Sequence, residues 1–178
     1  MPLHMEPLEV PVDLETVGSV LIVSCPICPP ISLAISRRSP LIELFKRGLR
    51  TGAFEEYIDE LREPLERRGI RTGACTMYTP FPTMCLWTKG QRNRLRKRAK
   101  EYDLVLVLGC ASATRTAREA LEDTDCRVLQ AMTVNGLTNA KLSYRFPMTL
   151  GLEEAVRVVE DERGREGERM TSSSAGSS

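Results

Sequence analysis

The sequence predicts one α/β domain of three layers, with helices on both faces of a mainly parallel sheet of four to five strands. Short runs of β-branched and aliphatic residues recur along the chain, and 102–109 (YDLVLVLG) is the clearest. Continuous apolar runs of this length are typical of strands buried on both faces. Segments with helical periodicity separate these runs, as in parallel strands joined by right-handed crossover helices.

The strand candidates are rich in β-branched and aliphatic residues: 18–24, 70–78, 102–109 and 127–132. The first runs into Cys25-Pro-Ile-Cys28, where prolines end the strand and stiffen the loop. Between 132 and 141 there is no room for a crossover helix. A fifth strand at about 142–150 is therefore predicted to pair antiparallel at the sheet edge. The whole pattern predicts a sheet of the flavodoxin or Rossmann type.

Four segments are helix candidates: 40–49, with a helix-like group of apolar residues; 54–65, with apolar residues at three- and four-residue steps; 89–100, with helical periodicity; and 111–121, with several good helix formers. Pro64 is expected to kink or shorten the second of them. The segment 89–100 is strongly basic, with a narrow inner stripe formed by Gln91, Leu95, Ala99 and Tyr102. These elements place one domain in 17–160. Residues 1–16, with three prolines, are predicted to form an arm, and the polar, serine-rich 161–178 a disordered tail.

Composition limits the function before any motif is considered. The chain has 178 residues, a net charge of +1, 42% hydrophobic residues and 28% charged residues, as in soluble globular domains. A charge this close to zero disfavours a general attraction to nucleic acid or to a membrane. No apolar run approaches the roughly 18 residues of a membrane span, and the start lacks a signal-peptide layout. We expect a cytoplasmic protein.

Six cysteines and one histidine direct attention to sulfur chemistry. The histidine, His4, falls in the predicted arm, so mechanisms that need a core histidine are disfavoured. In a reducing compartment the cysteines are expected to be thiols, metal ligands or core residues rather than disulfides.

Four of the cysteines are predicted to share one edge of the sheet. In an open parallel sheet, ligands bind beyond the carboxyl ends of the strands. Cys25 ends the first strand, with Cys28 in the same loop, and Cys110 ends the third strand. Cys85 lies in the loop after the second strand. Four thiolates without a histidine suit an iron–sulfur cluster or a zinc ion.

The other two cysteines have different expected places. Cys126 precedes the fourth strand and should lie at the opposite edge, while Cys75 either points into the core or replaces Cys85 as a ligand. A thiol–disulfide redox site at Cys25 and Cys28 is an alternative chemistry, for which a helix would have to begin at the following prolines. A third interpretation treats the buried cysteines as small hydrophobic residues.

Two further segments are candidates for contacts with a cofactor. Ser112 and Thr114 follow the strand at 102–109 near a helix N-terminus, where backbone amides bind anions, although simple helix capping explains them equally well. Asn135 lies in a predicted turn-rich loop after the fourth strand, on the same edge as Cys25 and Cys110.

The basic segment 89–100 supports a third class of function. It carries seven lysines and arginines and no acidic residue. Such a helix can bind an acidic partner or RNA, although a solvated helix face is more common. Aromatic residues are not interleaved with the basic ones, which disfavours nucleic acid.

The strand at 102–109 with Cys110, the helix and strand after it, and the upstream strand ending in Cys25 resemble a known family in layout. They are similar to the C-terminal cysteine-rich domain found with methylenetetrahydrofolate reductases of anaerobes, over about 20–137. The resemblance implies a metal- or cluster-bearing accessory module of one-carbon metabolism beside a flavin enzyme. It implies ligand roles for Cys25, Cys28 and Cys110, and a redox or methyl-transfer enzyme as partner.

Overall fold

The computed structural model describes residues 2–9, 16–48, 50–77, 87–146 and 148–159. The strands, in chain order, are β1 (Leu3–Pro7), β2 (Ser19–Ser24), β3 (Ile42–Glu43), β4 (Arg71–Thr76), β5 (Leu104–Leu108), β6 (Arg127–Gln130), β7 (Met132–Arg145) and β8 (Thr149–Val158). The helices are α1 (Cys28–Ser36), α2 (Leu44–Arg47), α3 (Gly52–Arg67), α4 (Lys89–Ala99) and α5 (Ala111–Ala120). The predicted tail, 161–178, lies outside these residues.

The α/β class is confirmed by a parallel sheet of four strands in the order β4-β2-β5-β6. Alternate residues of its central strands enter two separate cores. Val20 and Ile22 pack with Phe54 of α3, whereas Leu21 and Val23 pack with Leu95 of α4 and other residues of α4 and α5. Helices therefore cover both faces of this sheet, and its two middle strands are buried as their apolar runs predict.

The antiparallel strand does not join the parallel sheet, and this part of the prediction is wrong. Instead β7 and β8 form a second sheet with the order β1-β7-β8-β3. One residue, Ala131, separates β6 from β7, and its carbonyl accepts a hydrogen bond from the Leu8 amide at 2.9 Å. The chain thus leaves the parallel sheet at this point and pairs with the N-terminal strand.

The segment predicted as an arm contributes β1, and His4 is buried there. The strand is held against α1 by Ser32, whose hydroxyl accepts a hydrogen bond from the Met5 amide at 2.9 Å and lies 2.9 Å from the Cys28 carbonyl. Long-range pairing of this kind orders a segment whose proline content alone predicts an arm.

The helices agree with the sequence in three of four cases. The segment 40–49 forms β3 and the short α2 instead of one helix, because Ile42 and Glu43 pair with Leu150 and Thr149 of β8. Pro64 lies inside α3, which continues to Arg67. No helix in the described part of the chain is long and apolar enough to span a membrane.

Candidate cysteine site at the carboxyl edge

The strand order of the parallel sheet reverses between β2 and β5. From β2 the chain crosses to β4 on one side, and after β4 it returns past β2 to β5 on the other side. Helices on opposite faces leave a crevice at such a point, and ligands bind there in open α/β sheets. Cys25 directly follows β2, and Cys110 follows β5 after one glycine.

The two turns that carry these cysteines lie side by side. Ser24 is in register with Leu108, and one residue later the Cys25 amide donates a hydrogen bond to the Leu108 carbonyl at 3.0 Å. A Cβ atom on Gly109 would lie 2.9 Å from the Cβ of Ala113 and 3.6 Å from the Cβ of Cys25. Glycine at this position therefore allows β5, the start of α5 and the Cys25 turn to approach closely.

Two helices begin at this edge, each at a cysteine. Cys28 is the first residue of α1, with prolines in the first turn, where a missing amide proton is tolerated. Cys110 is the N-cap of α5 and makes no side-chain capping bond. A helix N-terminus carries a partial positive charge, so both ends favour a negative ligand or a thiolate.

Hydrogen bonds fix the neighbouring strand ends. The Ser24 hydroxyl donates to the Thr76 hydroxyl at 2.9 Å, which joins the ends of β2 and β4 just before Cys25. Gln91 of α4 donates from its side-chain amide to the Met77 carbonyl at 3.4 Å. The positioning roles of Ser24 and Thr76 were not predicted, although a serine that ends an otherwise apolar strand is a signal of this kind.

The cysteines differ in burial. Cys25 is buried, while Cys28 and Cys110 are half-buried and pack against the core. Cys75 is buried in the core on the face of the sheet that α4 and α5 cover. Of the two places predicted for it, this is the core position rather than the ligand position. None of the five described cysteines forms a disulfide with another described residue.

Cys126 directly precedes β6, at the opposite edge from the strand ends that carry Cys25 and Cys110. Burial raises the pKa of its thiol, and the negative charge of Asp103 raises it further, against the opposing effect of a backbone hydrogen bond to Val105. A thiol with a raised pKa is a poor nucleophile and a poor metal ligand at neutral pH, which makes Cys126 a matched control for the edge cysteines.

Three of the four predicted ligands, Cys25, Cys28 and Cys110, lie within the described residues. Within the described ranges, no three Cys, His, Asp or Glu side chains come close enough together to hold a metal ion. Cys25, Cys28 and Cys110 share the carboxyl edge but do not form such a group on their own. Cys85, the fourth predicted ligand, lies outside the described residues.

The three residues predicted to contact a cofactor lie in different local settings. Thr114 is buried, and its hydroxyl donates to the Cys110 carbonyl at 3.2 Å, so it serves the first turn of α5. Ser112 is exposed in the same turn and is not the N-cap. Asn135 lies within β7 rather than in a loop, because Asn135-Gly136 forms a bulge opposite β1, with Gly136 at a φ of +103°.

The basic helix α4 buries the inner stripe that its sequence predicts, at Gln91, Leu95 and Ala99. Two of its arginines, Arg92 and Arg96, pair with carboxylates at the end of α5 and just after it. The exposed cations of this segment that form no ion pair with another described residue are Lys89, Arg94, Lys97, Arg98 and Lys100. We call these five residues the basic face.

No protein-family model and no curated protein matches the chain. Two crystal structures of a C-terminal domain of a hydrogenase from Pyrococcus furiosus are similar to it in part, at 18% and 17% sequence identity. Each alignment covers 70% of this chain and 99% of the other, with a TM-score of 0.33. At that level of likeness, the function has to be inferred from the chain's own residues.

Proposed function

We propose that the chain holds a thiolate-ligated metal centre, an iron–sulfur cluster or a zinc ion, at the carboxyl edge of the parallel sheet. The observation that carries the proposal is the placement of Cys25, Cys28 and Cys110 on two adjacent turns where the strand order reverses. Cys85 supplies the fourth ligand in this proposal. Thiolates are soft ligands, which favours zinc and iron–sulfur clusters over magnesium or calcium.

The electrostatics of the edge support such a centre. Four thiolates around zinc or a cluster leave a net negative charge, and the N-termini of α1 and α5 both begin at the cysteines that would carry it. Glycine at 109 allows the two turns to lie close together. No side-chain capping bond from Cys110 occupies the backbone amides at the N-terminus of α5. The two helix N-termini therefore stabilise negative charge at the same place.

The role of this centre in the proposal is to transfer electrons or to hold a cofactor for a partner enzyme. The resemblance noted for 20–137 adds a finer expectation, an accessory module in one-carbon metabolism that works beside a redox or methyl-transfer enzyme. The basic face of α4 is the surface that an acidic partner would contact.

Anaerobic purification followed by iron, sulfide and zinc analysis and a visible absorption spectrum tests the proposal. A brown protein with iron and sulfide identifies a cluster, and a colourless protein with stoichiometric zinc identifies a zinc site. Cys25→Ser, Cys28→Ser and Cys110→Ser should each lose most of the metal, while Cys126→Ser at the opposite edge should retain it. Metal content that is unchanged in Cys25→Ser and Cys110→Ser would contradict the proposal.

A second candidate function is thiol–disulfide exchange by Cys25 and Cys28. It is favoured by the start of α1 at Cys28, with prolines in its first turn, directly after a strand and a Cys-x-x-Cys turn. In this case two thiols form a disulfide and pass two electrons and two protons to a disulfide of a partner protein. A metal-free protein in which Cys25 and Cys28 oxidise reversibly, with Cys110 remaining reduced, would favour this function over the metal centre.

A further inference from the structure

A cavity of about 880 Å³ lies at the C-terminal end of α1, at the other end of the helix from Cys28. One side is formed by the last turns of α1 and the residues that follow it, and the other side by β1, β7 and β8. Its size falls within the range of small-molecule and cofactor sites. Apolar side chains such as Leu33, Ala34, Leu152 and Ala155 line it together with polar groups.

Arg38 lines this cavity in a backbone conformation that favours glycine. Its φ is +51°, and it occupies the position after the C-cap of α1. The Arg38 amide donates to the Ile35 carbonyl at 3.0 Å and the Ser39 amide to the Ala34 carbonyl at 2.9 Å, which is the Schellman pattern that ends helices. Glycine is usual there because it alone adopts this conformation without strain. An arginine at this position therefore lowers the stability of the fold relative to glycine.

The second strained residue lines the same cavity. Among the described residues, Arg38 and Glu154 are the non-glycine residues with positive φ. Glu154 lies at a bulge in β8, where the register with β7 shifts between Asn139 and Lys141. Backbone strain of this kind is concentrated at binding and catalytic sites.

Two buried hydroxyl groups without hydrogen-bond partners also belong to residues of this cavity. They are the hydroxyls of Ser39 and Ser143, and they are the buried side-chain polar atoms that lack a partner in the described part of the chain. A Cβ atom on Gly151, which faces Ser143 across the strand pair, would lie 2.7 Å from the Ser143 hydroxyl. Glycine at 151 therefore leaves room for that hydroxyl. Unpartnered buried hydroxyls require an explanation, and a bound ligand provides one.

The charges around the cavity determine what it can bind. The carboxylates of Glu6, Glu153 and Glu154 are paired with Arg157, Arg145 and Lys141 respectively. Arg38 forms no ion pair with another described residue, in contrast to Arg37, whose guanidinium lies 2.6 Å from Glu60. The lining residues alone carry equal numbers of positive and negative charges, but Lys141 pairs with Glu154 from outside the lining, so one full positive charge, that of Arg38, is left over. It exceeds the partial negative charge of about half a unit at the end of α1.

We propose that this cavity binds a small organic anion, with an apolar body against α1 and a carboxylate or phosphate group on Arg38. Rotation of the Ser39 and Ser143 side chains about χ1 turns their hydroxyls towards the acceptor atoms of the ligand. This proposal is independent of the metal centre, because Cys28 lies at the opposite end of α1.

Fluorescence titration with anilinonaphthalene sulfonate, an apolar organic anion, tests the proposal on the full chain. Arg38→Gly should weaken binding by at least about tenfold and raise the Tm by about 2–4 °C, because it relieves the left-handed strain. Arg38→Lys should restore most of the affinity, and Arg94→Gln on α4 should leave it unchanged. Arg38→Gly with wild-type affinity would overturn the proposal.

Competition for the bound probe identifies the ligand class. Octanoate or octyl phosphate should displace it, and the stronger competitor identifies the anionic group. Inorganic phosphate at the same concentration should not, since it lacks the apolar body. Failure of both octyl compounds, or equal displacement by inorganic phosphate, would overturn the assignment. Ser143→Ala should lower the affinity without lowering the Tm, whereas Cys28→Ser should still bind the probe.

Discussion

The backbone amide of Cys25 donates a hydrogen bond to the carbonyl of Leu108 at 3.0 Å. This bond continues the pairing of β2 with β5 by one residue beyond the strands, and it places the Cys25 turn beside Gly109 and Cys110. The two turns can lie this close together because residue 109 has no side chain. A Cβ at position 109 would lie 2.9 Å from the Cβ of Ala113, which is closer than carbon atoms normally approach.

Gly109→Ala should therefore separate the two turns. The added methyl group overpacks the start of α5, which is expected to lower the free energy of unfolding by about 1–3 kcal/mol and to reduce the metal content of anaerobically purified protein. Urea denaturation and metal analysis measure the two effects. Gly90→Ala is a matched control, because a Cβ at position 90 would make only an ordinary contact with the Thr88 hydroxyl at 3.8 Å and alanine favours a helix. Equal stability of the two variants would contradict this account.

The parallel sheet could be predicted because each of its two middle strands is a continuous apolar run in the sequence. The runs around Val20–Val23 and Leu104–Leu108 are apolar without interruption, as burial on both faces requires. The edge shared by Cys25 and Cys110 then follows from topology. What topology alone does not provide is the distance between sulfur atoms, so the ligand group remains a prediction.

The antiparallel sheet could not be predicted in the same way. Its strands β7 and β8 alternate between buried and exposed residues irregularly, and bulges at Asn135-Gly136 and near Glu154 shift the alternation. Asn-Gly is a strong turn signal in a sequence, whereas here the glycine allows a positive φ within a strand. The burial of His4 likewise depends on pairing with residues more than a hundred positions away.

Pro64→Ala should stabilise the protein. Pro64 lies inside α3 and is exposed, so it removes one backbone hydrogen bond without contributing a buried side chain. Alanine should raise the free energy of unfolding by about 1–3 kcal/mol. Urea denaturation measures the change. Glu63→Ala, which removes a surface ion pair with Arg67 at 3.1 Å, should change stability by less than about 1 kcal/mol; a loss of stability in Pro64→Ala would show that the ring has a packing role.

The protein should become less stable as the pH falls below neutrality, because of His4. Burial lowers the pKa of this histidine below its ordinary value of 6.5, and the charge of Arg157 lowers it further, against the opposing effect of Glu6. The unfolded chain therefore takes up the proton more readily than the folded chain. The contribution of His4 is fully present above pH 6.5 and is lost as the pH falls through the lower pKa of the folded state.

Thermal denaturation of the wild type and His4→Gln, from neutral pH to about pH 5, checks this. The Tm of the wild type should fall more steeply than that of the variant, which cannot titrate. The hydroxyl of Thr138 lies 3.4 Å from Nδ1 of His4, so glutamine can keep a polar contact at this buried position. Parallel curves would assign the acid sensitivity to other groups.

The basic face of α4 should bind an acidic partner through charge. Arg94 and Arg98 lie one turn apart on this face and form no ion pair with a described residue, so both charges are available to a partner. Arg94→Glu combined with Arg98→Glu should elute from immobilised polyglutamate at a clearly lower salt concentration than the wild type. Arg67→Glu combined with Arg68→Glu, at the C-terminal end of α3, makes the same change in net charge and should have a much smaller effect. If both double variants shift equally, net charge rather than this face governs the binding, and α4 is a solvated helix face.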